Sequence, residues 1–440
     1  MPMMAQLIEA RLCRSCTGVV KTVPAEVVAG RGGCLDRRGI LDGMEVVGVR
    51  PGASLVWTLA RAYRRAVHDG QPVVSSAEVF RHGAVRVPEL PGLPPPRSRD
   101  WRQGVEPVDD DPPAQRSRLF PAFDQQVELF AEGALREAAY KGGPGDSVFS
   151  PLVCHAVYEA VHEASRRDGV HAGVRHLLGA VFAEPGNAAA KLAERMWVVG
   201  HGGFPLDRQS PAYRGGDDPP DWAVQALQAL RVLPAKPPRA LQLPWKAAVA
   251  TSMYFLVRRP FVRYGARYGH PISLLIETDA AEQAVRLGHA YTGTVEVLLS
   301  ILDLHEQLHA AGAVLPDLVA RHNTAGQILR EHNVTLLAAT TAAARSPATP
   351  QGVADPAAIP TKGWPSAPKT HRPAPPLDPG ALFALRSASA RARQAGDPFV
   401  GTTHLLASIL RDSDGPAARL LRELGADPDA ITAQVRIQPD

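Results

Sequence analysis

The sequence predicts an all-α protein made of repeated helical modules joined by Pro-rich linkers. Three observations carry this expectation. A short pattern recurs along the chain, the segments holding it are rich in Ala, Leu, Arg and Glu, and proline-rich breaks separate those segments.

The pattern is a pair of alanines four residues apart, a polar stretch with a glycine, then a small residue opening an apolar helix. Copy zero has Ala62 and Ala66 before Ser75, and copy one has Ala160 and Ala164 before Gly173. Copy two has Ala280 and Ala284 before Gly293, and copy three has Ala388 and Ala392 before Gly401. Alanines at i and i+4 share one helix face and strip it of bulk, so another helix can approach closely. The following glycine (Gly70, Gly169, Gly288, Gly396) stands where the first helix should end, as a left-handed C-terminal cap. After the anchor, Ser76, Thr294 and Thr402 are expected to accept amide hydrogen bonds at the start of the second helix. Apolar pairs such as Leu177-Leu178, Leu298-Leu299 and Leu405-Leu406 then mark its buried face. A third helix follows at 186–192, 325–331 and 415–423, whereas copy zero loses the pattern after Phe80.

The breaks divide the rest. With 41 prolines and 38 glycines in 440 residues, the chain has room for two to four domains and the composition for extended linkers between them. The expected layout is an N-terminal region with a marginal repeat at 1–87, a linker at 88–118 and a repeat at 119–200. A linker with a short helix at 201–244 precedes a repeat with an insertion at 245–343. A Pro/Ala-rich linker at 344–379 leads to the last repeat at 380–440. The one plausible strand lies around 44–49.

A net charge of +4 on this length gives no reason to expect nucleic acid or an anionic membrane as partner. Arginines 258, 259, 263 and 267 interleave with aromatic residues, a pattern that can track single-stranded nucleic acid, but it reads more simply as a solvated helix edge. The most membrane-like stretch, 247–257, is too short to span a bilayer. Four cysteines and no secretion-type leader point to a soluble, cytoplasmic protein. Cys13-x-x-Cys16 with Cys34 lacks a second Cys-x-x-Cys and reads as ordinary cysteines.

The strings from Arg286 through Thr294 to Leu299, and from Val400-Gly401-Thr402-Thr403-His404 through Leu421 to Asp427, resemble the Clp N-terminal repeat. That module opens the ClpA, ClpB and ClpC unfoldases. The resemblance implies that two repeats pack with pseudo-twofold symmetry into an all-helical domain that binds substrates and adaptors. It is strongest in copy three and covers about half of the chain. The unfoldases continue into ATPase modules, whose phosphate loop needs glycines and a Lys-Ser/Thr pair, and no such string occurs here. In ClpC-type domains an acidic residue after the Gly-Thr helps bind phosphoarginine. The matching positions here are Ala77, Arg175, Val295 and Thr403, none acidic, which puts guanidinium recognition in doubt.

The competing chemical signal is His305-Glu306-Gln307-Leu308-His309, which fits the zincin string HExxH. Two histidines one helical turn apart can ligate Zn²⁺ with the glutamate as general base. His322, Glu331 and His332 are the candidate third ligands, and Leu315 stands where an extended motif would place its last histidine. His155, Glu159 and His162 also share a helix face, without the second Glu-x-x-His that a di-metal site needs.

The expected function is therefore non-enzymatic protein binding, as accessory, adaptor or decoy of the Clp unfoldase/protease system. The alternative is a zinc-dependent metallopeptidase using His305, Glu306 and His309. Protein partners are Clp ATPase subunits, adaptors or clients, and no metal or cofactor is expected. The candidate binding residues are the helix-start positions Gly293, Thr294, Glu296, Gly401, Thr402, Thr403 and His404.

Overall fold

The computed structural model describes residues 50–84, 125–166, 171–184, 186–197, 222–229, 232–233, 271–345 and 374–436. The possible strand at 44–49, the three N-terminal cysteines and the Arg/aromatic stretch lie outside these residues.

Helices dominate, as the composition predicts. The first part of the chain supplies β1 (Arg50–Pro51), α1 (Ala53–His68), β2 (Val73–Val74), α2 (Ser76–Ala84) and α3 (Gln125–Gly142). It continues with β3 (Val148–Phe149), α4 (Pro151–Arg166), β4 (His171–Ala172), α5 (Val174–Ala183) and α6 (Ala188–Trp197). One apolar core runs through these helices, so copies zero and one form a single body. The second part supplies α7 (Trp222–Ala229), α8 (Pro271–Leu287), α9 (Thr294–Ala310), α10 (Asp317–Ala320), α11 (Ala325–Glu331) and α12 (Leu336–Arg345). It ends with α13 (Pro379–Ala395), α14 (Thr402–Ile409), α15 (Pro416–Glu423) and α16 (Pro428–Arg436). A second apolar core unites these, so copies two and three pair despite the proline-rich stretch between them. The cost of closing such a loop grows only slowly with its length. Helix α7, expected as an isolated helix within a linker, contributes Val224 and Leu227 to this second core.

The eight alanines of the repeat are all 0% exposed, which places every copy's first helix in direct contact with its neighbours. Gly70, Gly288 and Gly396 have φ of 66°, 75° and 76°, the left-handed conformation expected of glycine caps. Copy zero is thus a repeat in structure as well as in sequence. Beyond Phe80 its body is completed by α3, whose Val127, Ala131, Ala134 and Ala138 pack on the first core.

Each body is sewn together by an exchange of short extended segments, a departure from a purely helical fold. In the first body, the segment before copy zero's first helix pairs in parallel with the one before copy one's second helix, Arg50 opposite His171. Reciprocally, the segment before copy zero's second helix pairs with the one before copy one's first helix, Val73 opposite Val148. This reciprocity is the pseudo-twofold relation written in backbone hydrogen bonds. Among the described residues the second body shows one such pairing, where Thr292 before copy two's second helix bridges Leu377 before copy three's first. There the Thr292 N–H donates to Pro376 O and the Asp378 N–H to Thr292 O, each at 2.9 Å.

A buried ionic network joins the two bodies. Glu137 and Lys141 of α3 meet Arg286 and Glu282 of α8, with Arg286 Nε 2.7 Å from Glu137 Oε2 and Lys141 Nζ 2.9 Å from Glu282 Oε2. Arg286 also reaches Asp279 and Asp303, and Arg50 pairs with Asp303. Gly133 of α3 faces Arg286, where a Cβ would stand in ordinary van der Waals contact with it, 3.5 Å from its carbonyl oxygen. Burial alone would raise the Glu137 carboxyl, but Arg286 and Lys141 outweigh it and hold the pKa at about 2. Burial raises Glu282 to about 7 against the same two cations.

Glu137→Gln should cost about 3 kcal/mol at pH 7, because it leaves buried cations undercompensated. Glu137's stabilisation is fully present above the ordinary value of 4.5 and is lost as pH falls through about 2. The gap between variant and parent in urea denaturation should therefore narrow over that interval. Gly401→Ala should destabilise the second body by about 1–3 kcal/mol, as overpacking does. Its added Cβ would meet the His322 backbone carbonyl, whereas one at Gly293 would first meet the Asp378 carboxylate at 2.9 Å, a side chain that can move. Thermal melts should consequently rank Gly401→Ala below Gly293→Ala.

Candidate protein-binding site at the repeat junctions

The helix-start residues lie where one copy meets the next. Gly401 and Gly293 are the N-caps of α14 and α9, each with φ −104° in extended backbone open to any residue. A glycine is required at Gly401 by space: the His322 backbone of copy two lies directly against it. The Thr403 N–H donates to His322 O at 3.2 Å, and the Thr402 N–H to Asn323 Oδ1 at 2.9 Å. Thr403 Oγ1 accepts the Thr324 N–H at 3.1 Å. The first turn of α14 is therefore hydrogen-bonded by copy two's insertion, which satisfies amides that a helix start leaves open.

Capping differs from the sequence expectation in one respect. Thr294 and Thr402 do not cap; their hydroxyls are buried without a hydrogen-bond partner among the described residues. The cap comes instead from the third helical residue. Gly293 N–H donates to Glu296 Oε2 at 2.7 Å, and Gly401 N–H donates to His404 Nδ1 at 3.1 Å. Copy one uses His176 Nδ1 on the Gly173 N–H in the same way, at 3.1 Å. In copy zero, Ser76 Oγ does accept an amide, from Ala189 of copy one at 3.1 Å.

Each of these capping side chains in the second body is held by a partner four residues before its anchor. His289 Nδ1 lies 2.6 Å from Glu296 Oε1. His404 Nε2 lies 2.8 Å from Asp397 Oδ2. Acid and base have exchanged places between the copies while the geometry is kept. Because His404 Nδ1 accepts the Gly401 N–H, its proton sits on Nε2 and is donated to Asp397.

Exposure sorts the seven candidates. Thr294, Glu296 and Thr402 are 7%, 2% and 3% exposed, so they build the junction from inside, and Gly401 is buried with them. Gly293, Thr403 and His404 remain half-buried at its rim. The positions matching the acidic residue of ClpC-type domains are Ala77, which is buried, and Arg175, Val295 and Thr403, which are half-buried.

The zincin-like string occupies the last turns of α9, continuous with its apolar first half. His305 packs against Gly326, and burial, with Arg330 and His309, lowers its pKa. Glu306 Oε1 accepts the Leu336 N–H at 3.1 Å, so the residue cast as general base caps the start of α12. His309 is exposed. The candidate third ligands are engaged elsewhere: His332 and Glu331 both bind Gln434, and His322 faces Asp397 and His404. On α4, His155 and Glu159 stand 3.8 Å apart. No helix among the described residues is long and apolar enough to cross a membrane.

Residues 380–438 match the family model of the Clp repeat (R) N-terminal domain. A 60-residue stretch is 45% identical to the chloroplastic chaperone protein ClpC1 of Oryza sativa subsp. japonica, covering 14% of this chain and 6% of that protein. A longer match, 29% over 156 residues, covers 36% of this chain and 15% of the ClpA homolog of Porphyra purpurea. These matches thus span only a small part of the relatives' length. The N-terminal domain of ClpD from Arabidopsis thaliana aligns over 39% of this chain and 92% of its own at 16% identity, with a TM-score of 0.26. Copy three, at 380–438, is therefore similar to the Clp repeat (R) N-terminal domain, and parts of the chain are similar to ClpC and ClpA proteins.

Proposed function

We propose that this chain is a non-enzymatic protein-binding member of the Clp unfoldase/protease system, acting as accessory, adaptor or decoy. The observation that carries this reading is the Clp repeat domain at 380–438 paired with copy two into one double-repeat body. Partners would be Clp ATPase subunits, adaptors or client proteins. They would meet the rim residues Gly293, Thr403 and His404, while Thr294, Glu296, Gly401 and Thr402 fix the rim from within. The non-acidic residues at the phosphoarginine position favour a ligand other than an arginine-phosphate group. The capping role of Glu306 speaks against its use as a general base in peptide hydrolysis.

The test is a reconstituted degradation assay with a ClpC-type ATPase, its peptidase and a fluorescent client, titrated with the purified chain. An adaptor accelerates loss of its clients and a decoy slows it, and Thr403→Arg should weaken either effect. An unchanged degradation rate, with no binding of the ATPase in a pull-down of purified components, contradicts the reading. Casein cleavage by the chain alone that disappears in Glu306→Gln would replace it with the peptidase.

A further inference from the structure

Among the described residues, one group of His, Cys, Asp and Glu side chains converges closely enough to hold a metal ion: His322, Asp397 and His404. It lies apart from the zincin-like string and combines residues that are distant in sequence. His322 belongs to the insertion of copy two; Asp397 and His404 flank the anchor of copy three. We propose that these three side chains form a divalent-cation site of the zinc class that bridges the two copies.

The geometry supports this directly. Ligand atoms around a tetrahedral Zn²⁺ with bonds near 2.0–2.2 Å stand about 3.3 Å apart. Here Asp397 Oδ2 is 2.8 Å from His404 Nε2 and 3.7 Å from His322 Nδ1, and all three ligand atoms fall within 4.8 Å of one another. Small rotations bring the set to coordination distances. Two imidazoles and one carboxylate suit zinc, and also its spectroscopic substitute cobalt. They leave further positions for water or a partner's side chain.

The surroundings hold the ligands in place. His322 is buried, 8% exposed, its ring set edge-on against Phe399 at 5.1 Å and stacked on His404 at 5.8 Å. Its backbone is clamped by the Thr403 N–H, and its neighbour Asn323 by the Thr402 N–H. Ligands held by such outer contacts lose little freedom on binding metal.

The present hydrogen bonds also say what binding must change. His404 Nδ1 accepts from Gly401, and His322 Nε2 receives the Arg321 Nε–H at 3.1 Å. The protons therefore sit on the two nitrogens facing Asp397. To coordinate, each ring must carry its proton on the far nitrogen, releasing Gly401 at one ring and Arg321 at the other. That rearrangement opposes binding and places the affinity below that of a preformed structural zinc site. Zinc uptake and a loosened α14 cap are thus coupled.

The test is a Zn²⁺ titration of the full chain by calorimetry, in a Cys13→Ser/Cys16→Ser/Cys34→Ser/Cys154→Ser background that removes competing thiols. One equivalent should bind and raise the melting temperature. His322→Ala and Asp397→Asn should each weaken that site by about tenfold or more. Both circular dichroism and melting without metal should show these variants folded. Arg321→Gln, which keeps all three ligands, should retain binding, and His305→Ala should leave it unchanged. Cobalt should give visible ligand-field bands that the His322→Ala variant lacks. Absence of zinc binding, or binding unaffected by His322→Ala and Asp397→Asn, would overturn the proposal.

Discussion

The close approach of helices over bare alanine faces is the contact on which both bodies depend. Each pair, from Ala62/Ala66 to Ala388/Ala392, is fully buried, so those helices contribute no more than methyl groups at these positions to the contact with their neighbours. Interiors packed to that density transmit small volume changes as strain. The same closeness explains the glycines around it. Gly288 and Gly396 end the alanine helices in the left-handed conformation, which lets the chain reverse at once. Gly401 then admits the backbone of another copy. Sequence pattern, chain reversal and repeat pairing are consequences of one steric requirement.

Pairing also needs the exposed backbone between helices to be satisfied. The parallel exchanges of Arg50–Pro51 with His171–Ala172 and of Val73–Val74 with Val148–Phe149 do this in the first body. The Thr292–Leu377 bridge does it in the second. These bonds are few, but each joins different copies, so they fix which copy pairs with which. The ionic network around Arg286 and Glu137 acts at a higher level, between bodies. Buried ion pairs add little net stability against an apolar alternative, yet breaking one is costly. We therefore regard this network as specifying the association of α3 with α8 more than driving it.

Much of the fold was legible because alanine spacing, glycine caps and Leu-Leu pairs are local signals. The long-range pairing of copies two and three could be anticipated from family resemblance, and the second core bears it out. Helix α3 falls inside the repeat expected at 119–200, and Val127, Ala131, Ala134 and Ala138 have helical spacing, but no alanine-glycine signature marks its place in the repeat. The helix-start residues were legible as a set but not in their individual roles. Thr294 and Thr402 look like caps in sequence, whereas the actual caps, Glu296 and His404, depend on partners at His289 and Asp397. His404 and Asp397 are close in sequence. His322 joins them only through the insertion's fold, which local spacing does not show.

The central claim is that copies two and three are one folded unit whose halves hold together without the chain between them. A specific protease site placed within 346–373, cleaved in the folded protein, tests it most directly. Under native conditions the fragment holding 374–436 should co-elute with the rest of the chain and melt together with it. Separation of the fragments on cleavage, with the C-terminal piece retaining its own helicity, would contradict the account.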